Sequence, residues 1–136
     1  MRIVSLFVSL LLASSGAIAG EDWDFSTLHK SRCSCGGQPQ MNACLASEYS
    51  VVDEQLNEKY KRLIQVLEDG SSLKKAQVAW LHFRDLTCEY SSSGIGRDGS
   101  LYSFAQSACL IDLTEKRIRD LDQYLEWNCN GCPPRK

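Results

Sequence analysis

No apolar run in the sequence reaches the roughly 20 residues that a membrane-spanning helix requires, so stable membrane insertion is not expected. Charge of one sign never accumulates either: 15 basic and 17 acidic residues interleave to a formal net charge of −2. A chain without a basic block offers no electrostatic footprint for a nucleic acid. Histidine is scarce, limited to His29 and His82, which leaves few ways to assemble a Ser-His-Asp or Cys-His unit. No segment alternates apolar and polar residues in the manner of a strand, so there is no strand for a glycine-rich phosphate loop to follow. The carboxylates are scattered, with no pair marked by an apolar pocket that would separate their pKa values. These absences argue against an enzyme and give no reason to expect a cofactor or a metal.

What is present begins with a leader. Arg2 supplies a short positive start, Ile3 to Ala13 are mostly apolar, and Ala17-Ile18-Ala19 has the small-residue pattern that signal peptidase accepts. Cleavage is expected after Ala19, leaving residues 20–136 in an extracytoplasmic compartment, periplasmic or secreted. Loss of Arg2 takes the formal charge from −2 to −3. The residue after the cut is Gly20, so lipidation of a cysteine at that point is excluded.

All seven cysteines, Cys33, Cys35, Cys44, Cys88, Cys109, Cys129 and Cys132, lie beyond the leader, where disulfides are the default. Seven is odd, so at least one is left over within the chain.

The helical signal starts at Met41. Met41, Leu45, Tyr49, Val52, Leu56, Tyr60, Leu63 and Leu67 recur at steps of three and four, the stripe of an amphipathic helix about 40 Å long. Gly70 is read as its end, with Ser71 or Ser72 capping the next helix. There Leu73, Ala76, Trp80, Phe83, Thr87 and Tyr90 form a second stripe. Residues 91–103 are rich in Ser and Gly and read as a loop. A third helix follows to Trp127, with Leu110, Leu113, Arg117, Leu121 and Tyr124 on one face. The expected fold is therefore all-α, an antiparallel three-helix bundle with disulfide staples. Its expected divisions are a signal peptide (1–19), an irregular arm (20–37), a helical domain (38–128) and a Cys/Pro tail (129–136).

Cys88 closes the second helix and Cys109 opens the third, so a bond between them would staple the intervening loop at its base. Cys44 is expected to take Cys33 or Cys35 from the arm. Cys129 and Cys132 form a C-x-x-C, but the motif follows a helix instead of preceding one. There the helix dipole would raise a thiol pKa, so a structural disulfide is favoured over thiol oxidoreductase chemistry. A zinc site from Cys33, Cys35, Cys129 and Cys132 suffers from the poor C-x-C spacing and the oxidising compartment. Gln77, Trp80, Arg84 and Asp85 share the second helix, and Arg84 is placed to reach a carboxylate on a neighbour. The reading is a polar network that fixes helix register.

At these residues the chain resembles the LprI-type domain of secreted bacterial proteins, a family whose name comes from a lysozyme inhibitor. Gln40-Met41-Asn42-Ala43-Cys44, Glu48-Tyr49, Asp53, Leu56-Asn57 and Tyr60 are similar to its first helix. Leu73, Ala76-Gln77, Ala79-Trp80, Phe83-Arg84-Asp85 and Cys88 are similar to its second, and Gly99-Ser100, Cys109-Leu110, Leu113-Thr114 and Arg117 complete the match. The resemblance implies a helical, disulfide-bonded extracytoplasmic domain in which Asn42, Asn57, Thr114 and Arg117 join the polar network. It also implies a protein partner, with lysozyme the first candidate and inhibition by occlusion the expected action. The candidate contacts are Ser93, Arg97, Asp98, Gly99 and Ser100 on the loop. An envelope or host-interaction module with another partner is the alternative, and thiol exchange at Cys129 and Cys132 the weakest reading.

Overall fold

The computed structural model describes Cys33 and residues 36–136. The expected leader, most of the arm, His29 and Cys35 lie outside the described residues. Three helices form an antiparallel bundle: α1 (Gln38–Val66), α2 (Ser71–Ser91) and α3 (Ser100–Glu126).

The α1 stripe turns inward along its whole length. Leu45, Val52, Leu56, Leu63 and Leu67 are buried, with Met41, Tyr49 and Tyr60 half-buried between them. They meet Ile111, Ile118 and Leu121 of α3, so α1 and α3 make the main contact of the bundle. Leu45, Leu56 and Leu121 are fully buried, and each such side chain contributes about 1.5–3 kcal/mol by leaving water.

The connection between α1 and α2 differs from the expectation at Gly70. α1 ends at Val66 with Leu67 extended, and Gly70 occupies the N-cap of α2 instead of closing α1. Glycine brings no side chain to cap a helix, and Asp69 supplies one: its carboxylate accepts from the Ser71 N–H at 2.8 Å and from the Ser71 hydroxyl at 2.9 Å. The backbone and hydroxyl donors of Ser71 hold the Asp69 carboxyl below its ordinary value.

In α2 the buried face is shifted by about one residue from the apolar stripe. Gln77 is buried where Ala76 was expected, Arg84 where Phe83 was, and Cys88 where Thr87 was. Phe83 and Tyr90 instead point outward, 56% and 81% exposed. The physical reason is a set of fixed points on that face. Cys88 is bonded to Cys109, and Arg84 and Gln77 have charged partners on the other two helices. Together these determine the rotation against the pull of two aromatic side chains.

The expected loop of residues 91–103 is shorter. Gly99 caps α3 and Ser100 begins it, leaving residues 92–99 as the connection. The Gly99 N–H bonds to the Gly96 carbonyl at 2.9 Å, and the Tyr102 N–H to the Gly99 carbonyl at 3.0 Å, so one tight turn leads directly into the helix.

Beyond α3 the chain folds back on the bundle. Arg135 pairs with Leu67 in a single antiparallel bridge; the Glu68 N–H donates to the Pro134 carbonyl at 3.0 Å and the Lys136 N–H to the Val66 carbonyl at 3.0 Å. Arg135 also donates to the Tyr124 carbonyl at 2.6 Å, near the end of α3. The tail, treated in sequence as an appendage, is strapped to the α1–α2 connection.

Candidate functional site

Two assemblies gather the residues singled out in sequence. The first is a stack of alternating aromatic rings and guanidinium groups through the three helices. Arg84 lies 5.6 Å from the Tyr49 ring and 5.4 Å from that of Trp80; Arg117 lies 5.7 Å from the Trp80 ring and 5.8 Å from that of Tyr124. Such contacts are attractive because the ring face is negative and the cation has lost much of its water. Both arginines are almost completely buried, Arg84 at 6% exposure and Arg117 at 7%.

Their charges are answered locally. Arg84 donates to Asp85 at 2.9 Å, to Asp53 at 3.1 Å and to the Thr114 hydroxyl at 3.4 Å. Burial works against the Arg84 charge, but the hydrogen bonds to Asp85 and Asp53 outweigh it and hold the group above its ordinary value. Burial also pushes the Tyr49 phenol up. Arg117 donates to Gln77 at 3.0 Å and lies 3.7 Å from Asp120. Asn57 donates to the Asp53 carbonyl at 2.8 Å and to its carboxylate at 3.2 Å, which orients the partner of Arg84.

The stack thus brings together Gln77, Trp80, Arg84, Asp85, Thr114 and Arg117, with Asn57 acting through Asp53. Asn42 is elsewhere. It donates to the Ser100 carbonyl at 2.8 Å and accepts from Gln38, at the far end of α1. The sequence pattern put Tyr124 on the same face of the third helix as Arg117 but gave it no part in the polar network, which its ring joins through Arg117. The network holds three helices in register. Among the described residues, no grouping of His, Cys, Asp and Glu has the geometry to hold a metal ion, and His82 is exposed on α2.

The second assembly is the end of the bundle where α2 turns into α3. The Cys88–Cys109 disulfide spans 5.5 Å between Cα atoms and closes the base of the 92–99 connection. Ser92 is fully buried there, its hydroxyl donating to the Cys88 carbonyl at 2.7 Å. The Ile95 N–H bonds to the Ser92 carbonyl at 3.0 Å, and Arg97 is paired with Glu89. Ile95 is half-buried, and Ser93, Arg97, Asp98, Gly99 and Ser100 are all exposed. The Arg97 side chain is 72% exposed despite its ion pair. Asn42 ties this end to the start of α1, close to the Cys33–Cys44 disulfide with its Cα separation of 5.6 Å. The result is a short polar projection on a base cross-linked by disulfides.

Cys129 and Cys132 are bonded to each other within a turn where Gly131 adopts φ +92. The turn follows the C-terminal end of α3, the pole of a helix that disfavours a thiolate. No helix among the described residues is long and apolar enough to cross a membrane.

A family model described as lysozyme inhibitor LprI matches residues 31–121, which includes all three helices up to Leu121 and the whole 92–99 connection. An uncharacterized protein of Rhizobium meliloti strain 1021 is 31% identical over 104 residues, covering 65% of this chain and 74% of the relative. The uncharacterized protein YecT of Escherichia coli strain K12 is 35% identical over 100 residues, covering 62% of each chain. No solved structure matches.

Proposed function

Because the chain belongs to the LprI lysozyme inhibitor family, we propose that it is an extracytoplasmic binding protein that inhibits a lysozyme by occlusion, with no chemistry of its own. The observation that carries the reading is the family match across the whole disulfide-closed end of the bundle. The same reading takes residues 1–19 as a leader removed on export and residues 20–136 as the working protein.

The 92–99 connection and the start of α3 are the proposed contact, with Ser93, Arg97, Asp98, Gly99 and Ser100 meeting the enzyme. A glycosidase cleft holds a pair of carboxyl groups, and Arg97 is the exposed cation of this projection. In the free protein Arg97 is paired with Glu89; in the complex Arg97 exchanges that partner for a carboxylate of the cleft. The cross-linked base reduces the ordering cost of binding, which is how a short projection reaches useful affinity.

The test is the rate at which lysozyme clears a cell-wall suspension with and without stoichiometric disulfide-intact protein. Slowing in proportion to added protein, and loss of that slowing in an Arg97→Ala, Asp98→Ala variant, is the expected result. Full-rate clearance by several lysozyme types beside micromolar protein would refute inhibition. Unaltered inhibition by the variant would refute the site.

A further inference from the structure

The outer face of α2 carries a second apolar stripe, distinct from the face it buries. Ala76, Ala79, Phe83, Leu86 and Tyr90 recur at steps of three, four, three and four, the spacing of a coiled-coil seam. Phe83, Leu86 and Tyr90 are 56%, 52% and 81% exposed, and both alanines are also exposed. Single exposed apolar residues are ordinary, but a continuous row of them along one helix marks an interface.

The row is graded in size: its N-terminal half is small (Ala76, Ala79) and its C-terminal half large (Phe83, Leu86, Tyr90). One rim of the row is graded in charge, with Lys75, His82 and Glu89 at seven-residue steps. Both gradients are self-complementary in one arrangement only. We propose that α2 docks antiparallel against α2 of a second copy of this chain, about a two-fold axis near Leu81.

In that pairing Ala79 meets the partner's Phe83 and Ala76 meets the partner's Leu86, so large fills the space beside small at each layer. Lys75 comes beside the partner's Glu89 on both sides of the axis. Glu89 already holds Arg97, and its carboxylate has lone pairs for a second cation. A parallel pairing would set alanine against alanine over a void and would keep Lys75 two heptads away from the partner's Glu89.

The small end of the seam also has somewhere to put a large side chain. A cavity of about 280 Å³ opens there, lined by Leu63, Ser72, Leu73, Ala76, Tyr124 and Trp127 among others. The antiparallel register brings the partner's Tyr90 opposite Ser72, at the mouth of this cavity. The knob and the hole therefore lie at opposite ends of one helix, as an isologous contact requires.

This inference does not depend on lysozyme. It is tested by sedimentation velocity on the disulfide-intact protein from low to hundreds of micromolar. The wild type is expected to move from monomer to dimer across that range. Phe83→Glu is expected to stay monomeric, with an unchanged far-ultraviolet spectrum because Phe83 lies outside the core; Tyr90→Lys gives the same answer should the first variant misfold. Lys75→Glu alone is expected to weaken association about tenfold by losing two exposed pairs at once, and Lys75→Glu with Glu89→Lys to restore it. A wild type that stays monomeric throughout would overturn the proposal, as would a dimer indifferent to Phe83→Glu or a double reversal that fails to rescue. A monomer whose lysozyme inhibition is lost in Phe83→Glu would assign the face to the enzyme and overturn the dimer.

Discussion

Arg84 on α2 and Asp53 on α1 meet at 3.1 Å, joining two helices that otherwise contact each other far less than either contacts α3. The guanidinium is almost fully buried while the carboxylate keeps about a third of its surface in water. The pair therefore fixes the rotation of α2 from one side, as the Cys88–Cys109 bond does from the other.

Replacing Arg84 by Ala is expected to destabilise the fold by about 1–3 kcal/mol, the range for stranding partly buried polar partners, because water still reaches Asp53. Arg84→Lys recovers little, since an ammonium cannot serve Asp53 and Asp85 at once or stack flat between Tyr49 and Trp80. Urea unfolding of the two variants checks this. A lysine variant as stable as wild type would show that charge alone matters.

Removing the Cys88–Cys109 cross-link with paired serines is expected to cost about 3 kcal/mol, since 21 residues of sequence separate the bonded positions. The denaturant midpoint should fall and inhibition should weaken further than stability alone explains, because the projection loses its base. Measuring both on one preparation separates the effects.

The tail disulfide is expected to behave differently. Cys129 and Cys132 are three residues apart, so reducing them releases little chain entropy. Paired serines there should leave inhibition intact and speed amide exchange at Glu68 and Lys136, whose N–H groups bond to Pro134 and Val66 across the strap. Unchanged exchange at both amides would mean the strap holds without its cross-link.

Tyr49 gives an alkaline signature. Its phenol is pushed above the ordinary value by burial in the folded protein, so the folded state binds that proton more tightly than the unfolded state does. The resulting stability is fully present below the ordinary tyrosine pKa and is lost as pH rises through the folded value. Stability measured across the alkaline range should fall more steeply in wild type than in Tyr49→Phe; identical slopes would contradict it.

Much of this was legible in the chain itself. The α1 stripe needed no correction, because eight apolar positions at helical spacing have only one way to be buried together. The pairing of Cys88 with Cys109 was equally plain, although α3 begins at Ser100, so Cys109 lies inside that helix instead of opening it. α2 was misread by one residue, since its stripe is really two: Leu73, Gln77, Trp80, Arg84 and Cys88 face inward, and Ala76, Ala79, Phe83, Leu86 and Tyr90 outward. Hydrophobicity alone cannot rank a buried arginine above an exposed phenylalanine.

The sequence by itself determined the class of fold, three helices whose apolar faces cannot stay in water. Only the tertiary structure decided which face of α2 turns inward, how far the 92–99 connection extends, and that the tail returns to Leu67. Each of those depends on partners distant in sequence: Asp53 for Arg84, Gln77 for Arg117, Asn42 for Ser100, Val66 for Lys136. Local periodicity records what a helix can bury. The charges and cross-links on neighbouring helices select what it does bury.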